Sequence, residues 1–214
     1  MKILAFADVH GRFERVTAVL QQMRPADVVL VAGDLTTNGT PAEVERALAV
    51  WMSLAPQLFA VAGNMDSPQI DQALERLEVS LNGCCRRAGA IPFFGCSAAP
   101  VSIGTPYEIP ESEIAARIER GFAQAEGATP VVLVPHAPPH GCVDLTGSRT
   151  HAGSRAVREF IERSRPALVV CGHIHEARGQ ERLGDSLVVN CGPAARGHYA
   201  WIDLDEHGCR AELF

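Results

Sequence analysis

Paired cysteines, unbroken apolar spans and blocks of one charge are all missing from this chain of 214 residues, and each absence closes off a class of protein. The seven cysteines are odd in number and none stands in a C-x-x-C pair, so neither a disulfide framework nor a structural zinc knuckle is expected. Most of them read as small buried hydrophobes, and the adjacent Cys84 and Cys85 would point to opposite sides of a strand rather than bridge. Two long stretches lack charge, residues 47–65 and 88–107. The first is broken by Pro56 and Gly63 and the second by Pro92, Gly95, Pro100, Gly104 and Pro106, so neither can form a helix that spans a membrane. Asp8 interrupts the apolar start before a signal-peptide core could be completed, which makes a cytoplasmic location the expectation. Basic residues number 19 against 25 acidic ones, a net charge of −6, and they are scattered apart from short clusters such as Arg86 and Arg87. Nucleic acid is therefore not expected as a bulk partner, nor is a membrane. With no repeat, low-complexity tract or linker, residues 1–214 read as one domain.

What is present is the composition of an ordinary globular protein, 47% hydrophobic and 21% charged, with enough chain to bury about 70% of its unfolded surface. Short runs rich in Val, Ile and Leu recur at residues 2–7, 27–32, 57–62, 131–134 and 168–171, the pattern of strands buried on both faces. Amphipathic segments lie between them. Phe13, Val16, Leu20 and Met23 form one helical stripe, Ile70, Leu74 and Leu77 another, and Ile114, Ile118 and Phe122 a third. Thr40-Pro41-Ala42-Glu43 carries a capping box with proline in the first turn, Ser67-Pro68 marks a second start, and a helix bearing Val157, Phe160 and Ile161 opens near Gly153-Ser154. The prolines between 92 and 110 mark a long ordered loop. After His175 the segments at 186–190, 199–204 and 209–214, with a turn at His207-Gly208, predict an antiparallel finish to an α/β fold.

Each of the five strands ends in groups that can bind a metal ion. Asp8-Val9-His10 follows the first, and the spacing of two sends both side chains to the same side. Gly33-Asp34 follows the second, Gly63-Asn64-Met65-Asp66 the third, His136 the fourth and Gly172-His173-Ile174-His175 the fifth. Any one of these is an ordinary turn or a core histidine. Five successive strands ending in Asp, Asn or His are a different matter, because sites in α/β sheets gather outside the carboxyl ends of strands. Asp8, His10, Asp34, Asn64, His136, His173 and His175 supply seven donors, and with Asp34 shared they make two four-ligand sites. Open positions then remain for water, which suits a hydrolytic ion pair better than a closed structural site. A His, Asp and Asn donor set suits Mn, Fe, Zn, Ni or Co, with manganese the first expectation.

The ordered set D-x-H, G-D, G-N-x-D, H and G-H-x-H, running from Asp8 to His175, resembles the calcineurin-like metallophosphoesterase family. There is no H-x-H-x-D-H run of the metallo-β-lactamase kind and no H-x-H after the first strand as in amidohydrolases. The resemblance implies a four-layer α/β/β/α sandwich with two mixed β-sheets. It implies that Asp8, His10, Asp34 and His175 hold one divalent ion and Asp34, Asn64, His136 and His173 the other. A hydroxide bridging the two ions would then attack phosphorus in line, without a phosphoenzyme.

One departure from the family pattern is informative: Met65 stands where the G-N-H-[DE] motif supplies a histidine near the leaving group, and a thioether cannot donate that proton. The chain resembles a small prokaryotic branch that lacks this histidine, in which phosphodiester hydrolysis is usual. Thr105-Pro106 and the residues around His136 and His175 are similar to members related to cyclic-nucleotide phosphodiesterases. His151 is the candidate replacement acid and substrate contact, with Ser154 and the helix N-terminus behind it offering free N–H groups to a phosphate. Asp66 is expected to cap the following helix or position Asn64 without touching metal. His140, His198 and His207 read as loop residues, and Trp51 and Trp201 as core. The reading is thus a metal-dependent phosphodiesterase acting on a small phosphate ester. Its alternative is a catalytically weak scaffold of the same fold, which the resemblance to a retromer subunit allows. A homodimer is the default oligomeric state.

Overall fold

Alternate side chains of the first strand face two different cores, and the layering of the molecule follows from that. A computed structural model describes residues 1–23, 25–205 and 208–214; His207 lies outside them. In chain order the elements are β1 (Lys2–Phe6), α1 (Phe13–Gln22), β2 (Val28–Ala32), α2 (Pro41–Leu54), β3 (Leu58–Val61), α3 (Pro68–Arg76), β4 (Cys85–Ala88), β5 (Ile91–Cys96), β6 (Ala99–Pro100), β7 (Glu108–Ile109), α4 (Glu111–Ala123), β8 (Val132–Pro135), α5 (Arg155–Ser164), β9 (Leu168–Cys171), β10 (Gly179–Leu183), β11 (Ser186–Asn190), β12 (Ala200–Asp205) and β13 (Gly208–Leu213). Short 3-10 turns occur at His175–Ala177 and Ala194–Arg196.

One sheet has the order β13-β12-β1-β2-β3 and a second the order β10-β11-β9-β8-β5-β4, while β6 and β7 form a small ladder of their own. Strands β1, β2 and β3 run parallel, as do β11, β9, β8 and β5, while β12 with β1, β13 with β12, β10 with β11 and β4 with β5 pair antiparallel, so both large sheets are mixed. Ile3, Ala5, Val28, Leu30 and Val61 of the first sheet share a core with Phe93, Val132, Val134, Leu168 and Val170 of the second. Phe59 and Phe93 meet there with ring centroids 5.4 Å apart. The opposite faces are covered by helices: Val16, Val44, Leu48, Ile70 and Leu74 pack with Leu4, Phe6, Val29 and Val31, and Ile114, Ile118, Val157 and Phe160 with Phe94, Leu133 and Val169. This is the four-layer α/β/β/α sandwich with two mixed β-sheets.

The local signals hold at the helix starts. Thr40 and Glu43 form the capping box of α2, and the Ser154 side chain accepts from Val157 N–H at the start of α5. Both tryptophans are buried, with Trp51 Nε1 donating to Thr17 Oγ1 at 3.0 Å.

Two expectations need correction. The stretch read as a proline-marked loop contains β5, an interior strand of the second sheet. Pro92 is tolerated because it sits next to the strand's first residue, opposite Arg87 of β4, while pairing with β8 begins only at Phe93. The finish is not wholly antiparallel either, since β11 joins the second sheet parallel to β9 before β12 and β13 return to the first. Alternation along a strand reports burial on its faces and carries no information about the direction of its neighbour.

Candidate functional site

The five donor-bearing strands are β1, β2 and β3 of one sheet and β8 and β9 of the other, so the donors converge where the two sheets meet. Backbone hydrogen bonds stitch the strand ends together: Asp8 N–H donates to Gly33 O at 3.0 Å, His10 N–H to Asp34 O at 2.8 Å and Gly172 N–H to His136 O at 3.0 Å. Other links cross between the sheets. His136 Nδ1 lies 2.8 Å from Ala32 O, and His173 N–H donates to Asp8 Oδ1 at 3.0 Å. Gly33 and Gly63 are required for this closeness, because a Cβ on Gly33 would overlap the His136 ring and one on Gly63 the Asp34 carboxylate and amide. Asp8, His10, Asp34 and His173 all occupy the left-handed region, with φ of 54°, 48°, 49° and 68°. For residues with a Cβ that conformation costs about 1–2 kcal/mol each, and the sheet framework imposes it at four of the seven predicted donors.

The side chains turn ring nitrogens and side-chain oxygens toward one another. Carbonyl Ala32 O only accepts, so His136 donates from Nδ1 and turns Nε2 toward Asn64 Oδ1 at 2.9 Å and Asp34 Oδ1 at 3.5 Å. His173 Nδ1 lies 2.8 Å from the same Asn64 oxygen. On the other side, His10 Nε2 and His175 Nε2 face each other at 3.2 Å, with Asp34 Oδ2 3.8 Å from His10 and Asp8 Oδ1 3.7 Å from His175. Asp34 thus turns one oxygen to His136 and the other to His10. Thr37 Oγ1 orients the His10 ring through Nδ1 at 2.8 Å. Among the described residues, Asp8, His10 and His175 form one group with ligand atoms within 4.8 Å of one another, and Asp8, Asp34 and His136 form a second. Nitrogens and oxygens packed this closely need a cation or a proton between them, so the residues present fit divalent metal ions.

The electrostatics point the same way. Burial, reinforced by Asp8 and Asp66, pushes the Asp34 carboxyl up to about 7 although His136 pulls against it. Burial also favours neutral Asp8, but its interaction with His175 and the charges of His136 and His175 prevail and hold it below the usual carboxylate range. Burial lowers His10, and burial together with His136 takes His173 down to about 3, leaving both rings as neutral donors. Contact with Asp8 raises His175 against the effect of burial.

Not every predicted residue joins the centre. Asp66 is fully buried and accepts from Leu35 N–H, Thr36 N–H, Thr36 Oγ1 and Gly63 N–H at 2.8–3.0 Å. It ties the loop after β2 to the loop after β3, which positions Asn64, and it does not cap α3. His151 is half-exposed and bonded through Nδ1 to buried Asp144 Oδ1 at 2.6 Å, a partner outside the seven donors. Both line a cavity of about 480 Å³ whose wall also includes Glu176, the neighbour of His175. Ser154 does not serve as a substrate contact: it is completely buried, donates to Glu111 Oε2 at 2.6 Å and accepts from Val157 N–H. The N–H groups of Arg155 and Ala156 are likewise taken by Glu111, so the start of α5 has no free donors for a phosphate. His140 lies against His151, with ring centroids 5.6 Å apart, and His198 is partly buried. Thr37, Glu108, Glu111 and Asp144 carry no signal of function in the sequence, because isolated hydroxyls and carboxylates away from the apolar strand ends have no periodicity, and Thr105 enters only through the resemblance of Thr105-Pro106.

The family model of calcineurin-like phosphoesterases matches residues 1–177. Uncharacterized protein MJ1162 of Methanocaldococcus jannaschii is 31% identical over 200 residues, which cover 90% of this chain and 88% of that protein. Metallophosphoesterase domain-containing protein 1 of Homo sapiens is 24% identical over 221 aligned positions, covering 88% of this chain and 65% of that protein. Among solved structures, TT1561 of Thermus thermophilus aligns with a TM-score of 0.77 at 18% identity, covering 99% of this chain and 97% of that one. A dimetal phosphatase from Danio rerio aligns with a TM-score of 0.65 at 14% identity, covering 100% and 98%. Those two likenesses speak for the fold. Together with the family match along most of the sequence, they conclude the identification: the chain belongs to the calcineurin-like phosphoesterases, metal-dependent hydrolases of phosphoric esters.

Proposed function

We propose that the protein is a phosphodiesterase working with two divalent ions, manganese first among them. Asp8, His10, Asp34 and His175 would hold one ion and Asp34, Asn64, His136 and His173 the other. The observation that carries this reading is the convergence of ring nitrogens and side-chain oxygens on one another: His136 Nε2 against Asn64 Oδ1 at 2.9 Å and Asp34 Oδ1 at 3.5 Å, with His10 Nε2 against His175 Nε2 at 3.2 Å. When bound, such ions supply Lewis-acid chemistry, acidifying water and drawing charge from the phosphoryl oxygens.

The chain's own residues do the rest. Ala32 O and Thr37 Oγ1 fix the His136 and His10 rings, and Met65 N–H, donating to Asp34 Oδ1 at 2.8 Å, fixes the carboxylate turned toward both. The backbone of Met65 has a task, but its thioether has no proton to give a departing alkoxide. Esters whose leaving groups need no proton are therefore the favoured substrates. His151 is the group we propose for the leaving-group side, held by Asp144 with Nε2 free beside the cavity that Glu176 walls.

The test is hydrolysis of bis-p-nitrophenyl phosphate beside p-nitrophenyl phosphate by metal-stripped protein titrated with Mn²⁺. Diester cleavage should rise with Mn²⁺, exceed monoester cleavage and vanish in Asp34→Asn. Equal activity in Asp34→Asn, or silence with both esters while two ions are bound, would sink the proposal.

A further inference from the structure

The structure assigns Thr105 and Glu108 as positioning residues that decide which end of the Asn64 side chain faces the metal centre; this rests on the reading that the Asn64 oxygen holds an ion. The two ends of a carboxamide have nearly the same size, so packing alone cannot choose between them. The neighbouring ring does not choose either, because His136 Nε2, 2.9 Å away, can accept an Asn64 N–H or donate to an Asn64 oxygen according to its protonation.

The choice is made by a chain of hydrogen bonds whose direction is forced. An ionised carboxylate accepts only, so Glu108 Oε1 must take the hydroxyl proton of Thr105, 2.8 Å away. Having given its one proton, Thr105 Oγ1 can only accept, and what it accepts is the N–H of Asn64 Nδ2 at 3.1 Å. Asn64 Oδ1 is left pointing at His136 and His173. Glu108 is itself fixed by N–H groups of Ser102, Ile103, Gly104 and Thr105 and by the Ser102 hydroxyl, at 2.9–3.2 Å. Slight burial resists its ionisation, yet those donors hold its pKa at about 2, so it is a pure acceptor in neutral solution. A second tie joins the loop to the same residue, Tyr107 N–H donating to Asn64 O at 3.0 Å.

The experiment is Mn²⁺ binding to the full-length, metal-stripped chain by calorimetry, with the number of ions counted. Thr105→Val keeps the side chain's shape and removes the hydroxyl, and should weaken one of the two ions about 10–100-fold. Thr105→Ser should restore it. Glu108→Gln, whose amide can donate to Thr105 Oγ1 and release the hydroxyl proton toward Asn64, should weaken the same ion. In an Asn64→Asp background the side chain ends in two equivalent oxygens, so Thr105→Val should cause no further loss. An equal loss in both backgrounds would reduce Thr105 to packing and overturn the assignment, and wild-type binding by Glu108→Gln would remove Glu108 from it. If Asn64→Ala weakens an ion while Thr105→Val binds like wild type, the relay fails and the metal reading stands. If Asn64→Ala binds both ions normally, the metal reading of Asn64 fails and the relay with it.

Discussion

Asp34 and Asp66 are both buried carboxylates beside glycine turns, and what separates their roles is how many lone pairs the protein has already filled. Asp66 accepts from three amides and a hydroxyl, whereas Asp34 takes the single Met65 amide and turns its oxygens to His10 and His136. The donors themselves were legible because they sit at the ends of apolar strands. Their supports were legible only in part: Asp66 reads as positioning Asn64 and Thr105 as part of a family-like pair, but the bonds join Asn64 to Thr105, 41 residues apart, and Asp66 to Thr36, 30 apart, with nothing periodic between. Asp144 was missed for the same reason, and it gives His151 a test of its own. His151→Ala should lower kcat on an alkyl diester about 10²-fold or more while sparing p-nitrophenyl esters, whose leaving groups need no proton. Equal losses on both substrates, measured by steady-state kinetics, would show that His151 is no proton donor.

At the scale of elements, the parallel βα units were readable from apolar runs and caps, and the pieces that broke the pattern were those joined by long-range pairing. Strand β5 hid behind Pro92, and α5 hid its true cap. Ser154 was visible as an N-cap, but the carboxylate above it belongs to Glu111 at the start of α4, which accepts from Arg155 N–H at 2.8 Å, Ala156 N–H at 3.0 Å and Ser154 Oγ at 2.6 Å. One side chain thereby satisfies the helix start that would otherwise be open to a phosphate. Glu111→Ala should destabilise the protein by about 1–2 kcal/mol, equivalent to roughly 2–8 °C in a chain of this size. Thermal unfolding should show that loss with Mn²⁺ binding unchanged; intact stability would mean the α4–α5 cap carries no weight.

Across the whole molecule, β1, β2 and β3 bring Asp8, His10, Asp34 and Asn64 from one sheet while β8 and β9 bring His136, His173 and His175 from the other. Ions held there bind the folded state and not the unfolded chain. At a free concentration a hundred times Kd, one such ion adds about 2.7 kcal/mol, or roughly 5–10 °C for a chain of this length. Chelation should lower Tm by that amount, and wild type but not Asp34→Asn should recover it on adding Mn²⁺. An unchanged Tm would mean that no ion bridges the sheets. The packing of Phe59 against Phe93 between the same two sheets gives this arrangement a mechanical meaning. Any slip of one layer over the other alters the separation of the donors, so the grip on metal becomes a strain gauge for the core beneath it.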